Sequence, residues 1–524
     1  MVRLKYLKKS LLFLMIFNII LIKDVKAYIS QSSTEFPEAE NINKSNCNTD
    51  CSNECGYGCS NDYASSRTIF IPRLLTTNSM LDLPLGNYQF YHNAQCPEDK
   101  AFFDIQASYF HLRSRKECEL AAYFLPNGRR CISVREDGSG DVGSLWLGLI
   151  SADGTQFDSR VCLSPRRKVD GGFFNFYFDF NTWLCGTWLS IAFAAMRVEQ
   201  NICIKESCVE NTGTLDNACN ATQALNNSEW CAGRFCPNTM VRTGVDDVQF
   251  KLGWNYYFCN QDHFGIYFVA TAPTGHRTRN LFIFEPLVGT RFGSAGVGFN
   301  SDYTVYDFGN QALHWMADLK YRYEFSYCTR RLFDLCKNGP WSRYLLVVSP
   351  DQPSMTEPGV NYFARRVRAT PRNTVDFWTA LHYNCCEYHF EVGYDLYWHQ
   401  AEKVCLANCE NQSLCVGIYD ISGDCQGNPV SATCNANISQ TVVNAGCNVA
   451  PSDPMFVPLS TSDLNLSSGA MPKAMTHTVY GALSYNTEFW CMPLMLGFVG
   501  MYEFAHSNTA FEQWGVQVRT SISF

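Results

Sequence analysis

The feature that most constrains this chain is an alternation of apolar and polar residues that recurs in long segments. In the clearest pair, 248–258 and 264–272, apolar residues such as Leu252 and Trp254 alternate with polar residues such as Lys251. Because successive side chains of a β-strand point to opposite faces, each segment would form a strand with one apolar and one polar face. A short polar stretch joins the two segments, so we predict an antiparallel hairpin.

Further segments with this alternation lie at 174–180, 315–325, 388–398 and 494–504. They exceed the ~5–6 residues typical of globular strands and approach the ~9–11 residues that cross a bilayer when tilted. Backbone groups in lipid must all be paired, which requires a closed sheet. We therefore predict an all-β fold, a closed antiparallel transmembrane β-barrel of about 14 strands (range about 12 to 16).

Residues 1–27 have the features of a secretory signal peptide. A basic start at 3–9 precedes an apolar run at 10–22, and Ala27 is small enough for cleavage before Tyr28. An uncleaved membrane anchor is the alternative, but the apolar run is short for a spanning helix. We therefore expect an exported protein.

The chain contains 26 cysteines, which in an exported protein indicate an oxidising compartment and disulfide bonds. We expect an irregular, cysteine-rich N-terminal segment at 28–100, followed at 101–524 by the barrel with long loops near 199–245 and 401–473. We predict that most cysteines in the clusters at 203–236 and 405–447 pair locally. For the first cluster, at 47–59, disulfides are favoured over a metal site, because its spacing lacks the usual His ligands. The clustered cysteines are Cys47, Cys51, Cys55, Cys59, Cys203, Cys208, Cys219, Cys231, Cys236, Cys405, Cys409, Cys415, Cys425, Cys434 and Cys447.

The last strand has a more specific pattern, in which Trp514, Val516, Val518, Ile522 and the terminal Phe524 share one face. It resembles the closing strand of bacterial outer-membrane β-barrel proteins, which ends in an aromatic residue behind alternating apolar residues. The layout and cysteine content are similar to porin-like, cysteine-rich major outer-membrane proteins, although the N-terminal segment and the two long loops depart from general porins. The resemblance implies location in the bacterial outer membrane and recognition of this strand by the barrel-assembly machinery.

No catalytic arrangement stands out in the sequence. The glycine pattern at 138–143 spells a dinucleotide fingerprint, but it precedes a strand rather than a helix, and the ten His form no ligand pair. We therefore expect no enzyme activity, no cofactor and no metal ion. The formal net charge of −8 and the lack of a broad basic face argue against nucleic acid as a partner.

The polar faces of the strands suggest the function. Charged side chains on these faces would line the barrel interior, where rings of charge bias ions by sign. The residues are Lys251, Asp318, Lys320, Arg322, Glu324, Glu391, Asp395 and Arg519. We predict a porin-like channel for passive diffusion of small hydrophilic solutes, surrounded by outer-membrane lipid. The alternatives are a structural envelope protein joined by interchain disulfides to copies of itself or other partners, and a soluble secreted β-sandwich adhesin.

Overall fold

The computed structural model describes residues 55–57, 64–86, 103–150, 156–180, 183–210, 213–214, 219–257, 262–349, 352–407, 412–419, 436–439 and 458–524. The expected signal peptide therefore lies outside the described residues.

Twelve long strands form a barrel. In chain order they are β1 Phe103–Arg115, β2 Arg166–Asp179, β3 Thr187–Asn201, β4 Val248–Tyr257, β5 His263–Ala272, β6 Ser294–Asp307, β7 Gln311–Glu324, β8 Arg372–Cys385, β9 Tyr388–His399, β10 Ala474–Phe489, β11 Met492–Ala505 and β12 Glu512–Ser523. Each strand pairs antiparallel with the next along the chain. Strand β12 also pairs with β1, so the sheet is closed and has no free edge. This confirms the prediction of an all-β, closed antiparallel barrel.

The number of strands lies at the lower limit of the predicted range of about 12 to 16 and below its central value of about 14. Twelve strands form the ring, and a further strand, Met240–Val245, pairs with the last part of β3 outside it. The buried residues Asp246 and Asp247 separate this strand from β4, which pairs with the first part of β3. The central value predicted for the number of barrel strands was too high because short strands in the connections also alternate between apolar and polar residues. Alternation alone does not show which sheet a strand joins.

The two ends of the barrel have different connections. At one end, here called the short-turn end, the strands are joined at 180–186, 258–262, 308–310, 386–387 and 490–491. At the other, here called the loop end, the connections are 116–165, 202–247, 273–293, 325–371, 400–473 and 506–511. Strand β1 begins and β12 ends at the short-turn end, as expected for a barrel with an even number of strands.

An apolar belt covers the outer surface of the barrel. Leu252, Trp254, Leu319 and Val392 are exposed on it, Val392 at 60%. Their neighbours on the opposite faces, which are buried inside the barrel, are Lys251, Asp318 and Glu391. A soluble monomer rarely exposes so large an apolar surface, whereas lipid covers such a belt on a transmembrane barrel.

The long connections pack together into a cap at the loop end. Its core contains large buried side chains such as Trp146, Phe333, Trp341 and Leu345. Its strands are Cys55–Tyr57, Cys131–Arg135, Val142–Gly143, Leu149–Ile150, Asp158–Cys162, Lys205–Glu210, Gly213–Thr214, Tyr327–Leu332, Asp334–Leu335, Leu346–Ser349, Gln352–Pro358, Ala364–Thr370, Lys403–Leu406, Gly417–Ile418 and Leu464–Asn465. Its helices are Glu117–Phe124, Ala221–Ala224 and Val360–Phe363, with 3₁₀ turns at Ser144–Leu147, Ser342–Tyr344 and Thr461–Asp463. No helix in the described part of the chain is long and apolar enough to cross a membrane.

The cysteines of the cap only partly follow the expectation of local disulfides. Cys131 is bonded to Cys162 on the adjacent strand, and Cys328 and Cys405 are also disulfide-bonded. The expected local pairing is not seen for five clustered cysteines, which are free thiols: Cys203, Cys219, Cys231, Cys236 and Cys415. At Cys231, for example, Sγ lies 3.0 Å from Nη2 of Arg330, which occupies the space beside it. The other clustered cysteine side chains, those of Cys47, Cys51, Cys55, Cys59, Cys208, Cys409, Cys425, Cys434 and Cys447, lie outside the described residues.

The chain terminus closes the ring at the short-turn end. The backbone N–H of Phe524 donates to the carbonyl of Phe103 at 2.8 Å, and the two rings stack with their centroids 5.9 Å apart. Trp514, Val516 and Val518 lie on the outer face of β12, while Ile522 is buried. The role of this strand as an assembly signal stays a prediction.

The direction in which Leu252 points can be tested by substitution. Leu252→Arg places a charge in the apolar belt and should lower the free energy of unfolding by roughly 2–4 kcal/mol if the site is near the bilayer midplane. Denaturant titration in lipid vesicles measures the change, with Leu252→Ala as the uncharged control. Equal stability of the two variants would show that this face does not contact lipid.

Candidate functional site inside the barrel

Residues 64–86, here called the lumen segment, run through the barrel interior from the loop end toward the short-turn end. At the loop end, the Ser66 hydroxyl donates to the Asp334 carboxylate in the cap at 2.7 Å. At the far end, the backbone N–H of Leu85 donates to the Glu391 carboxylate at 3.2 Å. Because Glu391 is close to the short-turn end of β9, the segment passes through most of the barrel.

The entry of the lumen segment is fixed by a buried ion pair in the cap. Arg343 Nη1 donates to Asp334 at 2.9 Å and to the Ser66 carbonyl at 3.0 Å. Burial alone would lower the pKa of Arg343, but the Asp334 carboxylate and Tyr344 outweigh burial and raise it. The guanidinium therefore stays charged and holds the segment against the cap.

Inside the barrel, Arg73 is the first charged side chain of the lumen segment to reach the wall. Its guanidinium contacts two fully buried carboxylates, Asp376 on β8 and Asp395 on β9, the latter at 2.7 Å. It also lies over the ring of Tyr397, 4.4 Å from the centroid. Arg322 is 3.2 Å from Asp376, so this carboxylate has a second cation. Breaking such a buried, hydrogen-bonded pair leaves an uncompensated charge.

A single helical turn, α1 (Ser79–Asp82), lies in the middle of the lumen. The Asn78 side chain caps it by accepting the backbone N–H of Met80 at 3.0 Å. Just before it, the carbonyl of Thr77 accepts from Lys320 Nζ of β7 at 2.8 Å. A cation on the wall thus satisfies a backbone acceptor that has no partner within the segment.

The end of α1 is held by two more wall cations. Lys251 on β4 forms an ion pair with the Asp82 carboxylate. Arg519 on β12 donates to the carbonyls of Leu81 and Pro84. Cations near the last carbonyls of a helical turn satisfy its unpaired acceptors. The closing strand of the barrel therefore contacts the lumen segment directly.

A hydrogen-bonded chain of wall side chains supports Glu391, where the lumen segment ends. Tyr480 donates to this carboxylate, and His382 Nδ1 lies 2.9 Å from it. His382 Nε2 is in turn 3.0 Å from His389 Nδ1. Among the described residues, no three His, Cys, Asp or Glu are arranged to hold a metal ion. The chain of contacts thus positions the acceptor for the Leu85 N–H.

Apolar contacts also hold the lumen segment. On one side its members are Met80 and Leu85, packed with Met316, Trp378, Ala380, Tyr480, Met495 and Val499 of the wall. On the other side they are Leu75 and Leu81, in a cluster with Phe110, Leu112, Val169, Phe173, Ala192, Ala194, Met196, Val198 and Val288. Complete withdrawal of the segment would expose both clusters to water, which would be unfavourable by roughly 1.5–3 kcal/mol for each large side chain.

The eight charged residues chosen from the sequence all lie on the inner face of the barrel: Lys251, Asp318, Lys320, Arg322, Glu324, Glu391, Asp395 and Arg519. Five of them contact the lumen segment: Lys251, Lys320, Glu391, Asp395 and Arg519. The other three bind side chains of the wall, as when Asp318 accepts from the Tyr267 hydroxyl at 2.8 Å. The interior they line is therefore occupied along its axis rather than open.

Sequence reasoning missed three residues of the site: Arg73, Asp82 and Asp376. Asp376 alternates with the apolar residues Val375 and Phe377, so the same pattern could have identified it. Arg73 and Asp82 lie in a stretch without strand periodicity, and their partners are more than 150 residues away along the chain. No local sequence pattern predicts that these two side chains lie in the lumen.

A cavity of about 50 Å³ remains between α1 and strands β1–β8. It is bordered by Asp82 and Lys251, and polar side chains such as Asn175, His263 and Asn300 line much of it. The space is enough for a few water molecules. The Asp82–Lys251 contact therefore lies beside a gap between the segment and the wall.

The inner wall carries more acidic than basic side chains. Its buried acids are Asp104, Asp179, Asp302, Asp318, Asp376, Asp395, Glu391 and Glu503. Its buried bases are Arg167, Lys251, Lys320, Arg322 and Arg519. A water-filled path along this wall would thus have an excess of negative charge, which favours cations.

Comparison with known proteins finds structural matches but no sequence match. No family model and no curated protein matches this sequence. Solved structures that match include an outer membrane channel from Pseudomonas putida F1, with a TM-score of 0.37 and 8% identity, covering 81% of this chain and 96% of that one. The Pseudomonas putida toluene transporter TodX matches with a TM-score of 0.31 and 9% identity, covering 89% and 97%. A Pseudomonas aeruginosa FadL homologue matches with a TM-score of 0.28 and 8% identity, covering 90% and 99%. The assignment of a closed barrel rests on the strand pairing of this chain itself.

The contribution of Arg73 to the free energy of unfolding can be measured by substitution. Arg73→Ala should lower the free energy of unfolding by roughly 3–5 kcal/mol, because it leaves the buried Asp395 without its cation. Urea titration of the protein in detergent micelles gives the value. Arg129→Ala, which removes an exposed arginine of the cap, serves as the control and should change little. A similar small effect of both substitutions would contradict the assigned role of Arg73.

Proposed function

We propose that the protein is an outer-membrane channel for small hydrophilic solutes that the lumen segment keeps closed at rest. The observation that carries the proposal is the polar cavity beside the Asp82–Lys251 ion pair. A small displacement of α1 away from β4 would enlarge this cavity. The apolar belt supports a membrane location, and long loops at one end with short turns at the other are typical of outer-membrane barrels.

Local movement is favoured over complete removal of the segment. The segment is attached to the cap through Ser66 and Arg343 at the loop end and continues along the chain into β1 at the short-turn end. It also packs against two apolar clusters of the wall, which water would have to cover if it left. Displacement of α1 alone disturbs fewer of these contacts.

The chemistry of the lumen supports small, polar and preferably cationic solutes. Amide, hydroxyl and charged side chains can replace water around such a solute, and the excess of wall carboxylates lowers the energy of a cation. The aromatic rings of Tyr267 and Trp188, which also border the cavity, limit its width. We therefore propose passive diffusion with a preference for cations.

Single-channel recording in planar bilayers tests this function. The unaltered protein should be closed most of the time, and Asp82→Asn should increase the open probability because it removes the carboxylate that binds Lys251. The control is Asp302→Asn, which removes a wall carboxylate that is 3.1 Å from His314 Nδ1 rather than bound to the segment. A salt gradient across the bilayer measures the cation preference as a reversal potential.

Two results would reject the proposal. One is the absence of conductance in both the unaltered protein and Asp82→Asn, when circular dichroism shows intact β-structure. The other is an equal response of Asp82→Asn and Asp302→Asn, which would show that any lost wall charge has the same effect.

A second candidate, a disulfide-linked envelope protein, is favoured by the thiols at the short-turn end. Cys185, Cys385, Cys386 and Cys491 lie at three turns of this end, and none is in a disulfide. Cys185, Cys386 and Cys491 are exposed, so another protein could reach them. Disulfide formation there would need a thiol oxidant or a partner disulfide for exchange.

Gel electrophoresis of isolated envelopes, without and with reductant, tests the second candidate. A variant with Ser at all four of these turn positions should lose high-mass, reductant-sensitive species if these thiols form the links. The control is Cys118→Ser, which removes another exposed thiol, located in the cap. If the high-mass species persist in the four-site variant, the turn cysteines do not link the protein to others.

A further inference from the structure

Among the described residues, basic side chains cluster on one side of the barrel rim at the loop end. Arg113 and Arg115 are exposed on the outer face of β1, and Arg166 and Lys168 lie next to them on β2. We call these four residues the basic patch. On β3, Arg197 also points outward and is paired with Glu199 at 2.9 Å. Outward side chains near the loop end of strands farther from β1 and β2 include Phe250, Tyr321, Tyr323, Leu396, Trp398, Tyr502 and Phe504.

Two members of the basic patch are already paired. Arg166 Nε lies 2.6 Å from Glu117, and Lys168 Nζ lies 2.9 Å from Asp170. Arg113 and Arg115 form no ion pair among the described residues, although Glu512, which is bound to Lys116 at 2.7 Å, is directly opposite Arg115 across the β12–β1 pair. The carboxylate opposite Arg115 is thus already bound to another cation, and Arg113 has no ion-pair partner in the part of the protein that the structure describes.

The strand register brings like charges together. Arg113 is directly opposite Lys168 across the β1–β2 pair. Like charges in directly opposite positions destabilise an antiparallel sheet. Lys168 is bound to Asp170 and is opposite Glu199 of β3, which reduces the repulsion, and a bound anion would supply the partner that Arg113 lacks.

The basic patch lies at the edge of the apolar belt. Further along the outer face of β1 toward the short-turn end is Tyr109, which is 45% exposed, and on β2 the outward residues are Phe174, Phe176 and Phe178. On the other side, Arg113 neighbours Trp514 of β12. Aromatic residues mark the level of a bilayer interface, where lipid headgroups lie.

We propose that the basic patch binds the phosphate of an anionic lipid headgroup in the leaflet on the loop side of the membrane. Arg113 and Arg115 supply free N–H donors, with Lys168 beside them, and the acyl chains of the lipid would lie along the outward faces of β1 and β2. Guanidinium groups bind phosphate through two parallel hydrogen bonds, which makes arginine well suited to this contact. The inference rests on the membrane placement in the proposed function, but not on conduction.

Native mass spectrometry of the detergent-purified full chain tests the proposal. The probes are a lipid with a phosphate monoester headgroup, phosphatidic acid, and the zwitterionic phosphatidylcholine with the same acyl chains. The unaltered protein should retain phosphatidic acid preferentially. Arg113→Gln with Arg115→Gln should weaken this binding by about tenfold or more, since charge-assisted contacts are lost.

The control is Arg129→Gln with Arg160→Gln, which removes two exposed arginines of the cap and should leave lipid binding unchanged. Equal weakening by both double variants, or retention of full affinity by Arg113→Gln with Arg115→Gln, would overturn the proposal. Displacement of the lipid by millimolar inorganic phosphate would show a site for free phosphate rather than for a headgroup. Thermal unfolding of each variant checks that the barrel is intact.

Conductance distinguishes this proposal from the proposed function. The basic patch faces away from the lumen, so Arg113→Gln with Arg115→Gln should not change the open probability in bilayers. A protein that binds phosphatidic acid without conducting would contradict the channel alone. A protein that conducts without this lipid preference would contradict the basic patch alone.

Discussion

Pairing of every backbone group in the barrel wall is the constraint on which the rest of this structure depends. A belt of exposed apolar side chains can be stable in lipid, but lipid offers no hydrogen bonds to an unpaired strand edge. The chain meets this constraint by pairing its last strand, Glu512–Ser523, with its first, Phe103–Arg115. Closure in turn creates an interior that is separated from lipid, where charged side chains can be placed if they find partners.

The partners of these charged side chains come mainly from the lumen segment. The wall places Asp376, Asp395, Lys251 and Arg519 inside, and the lumen segment supplies opposite charges or backbone carbonyls to each of them. A buried ion pair seldom adds much net stability, but it strongly disfavours arrangements in which one member is left alone. The charges therefore specify the position of the lumen segment, while its leucines and methionines supply the apolar contacts.

The features that could be predicted from the sequence are those that follow from a pattern of neighbouring residues. The outward position of Leu252 and the inward position of Lys251 follow from alternation, because a strand has a period of two. Closure followed from the lipid constraint. The course of residues 64–86 could not be predicted, because its contacts depend on partners that only the closed barrel brings together, as in the pair of Arg73 with Asp376. The free thiols at Cys203 and Cys231 likewise depend on the packing of the cap, which spacing along the chain does not contain.

The position of the lumen segment inside the closed barrel constrains the order in which the two assemble. The lumen segment is held by the cap at the loop end, and its last residues lie near the short-turn end, so it cannot easily be threaded through a ring that has already closed. The two strands that close the ring both contact the segment: Arg519 of β12 donates to Leu81, and Gln106 of β1 donates to Gly86. Closure around a segment already in place allows these contacts to form together with the Phe103–Phe524 pairing. The pairing of Phe524 with Phe103 thus encloses the lumen segment as well as completing the sheet.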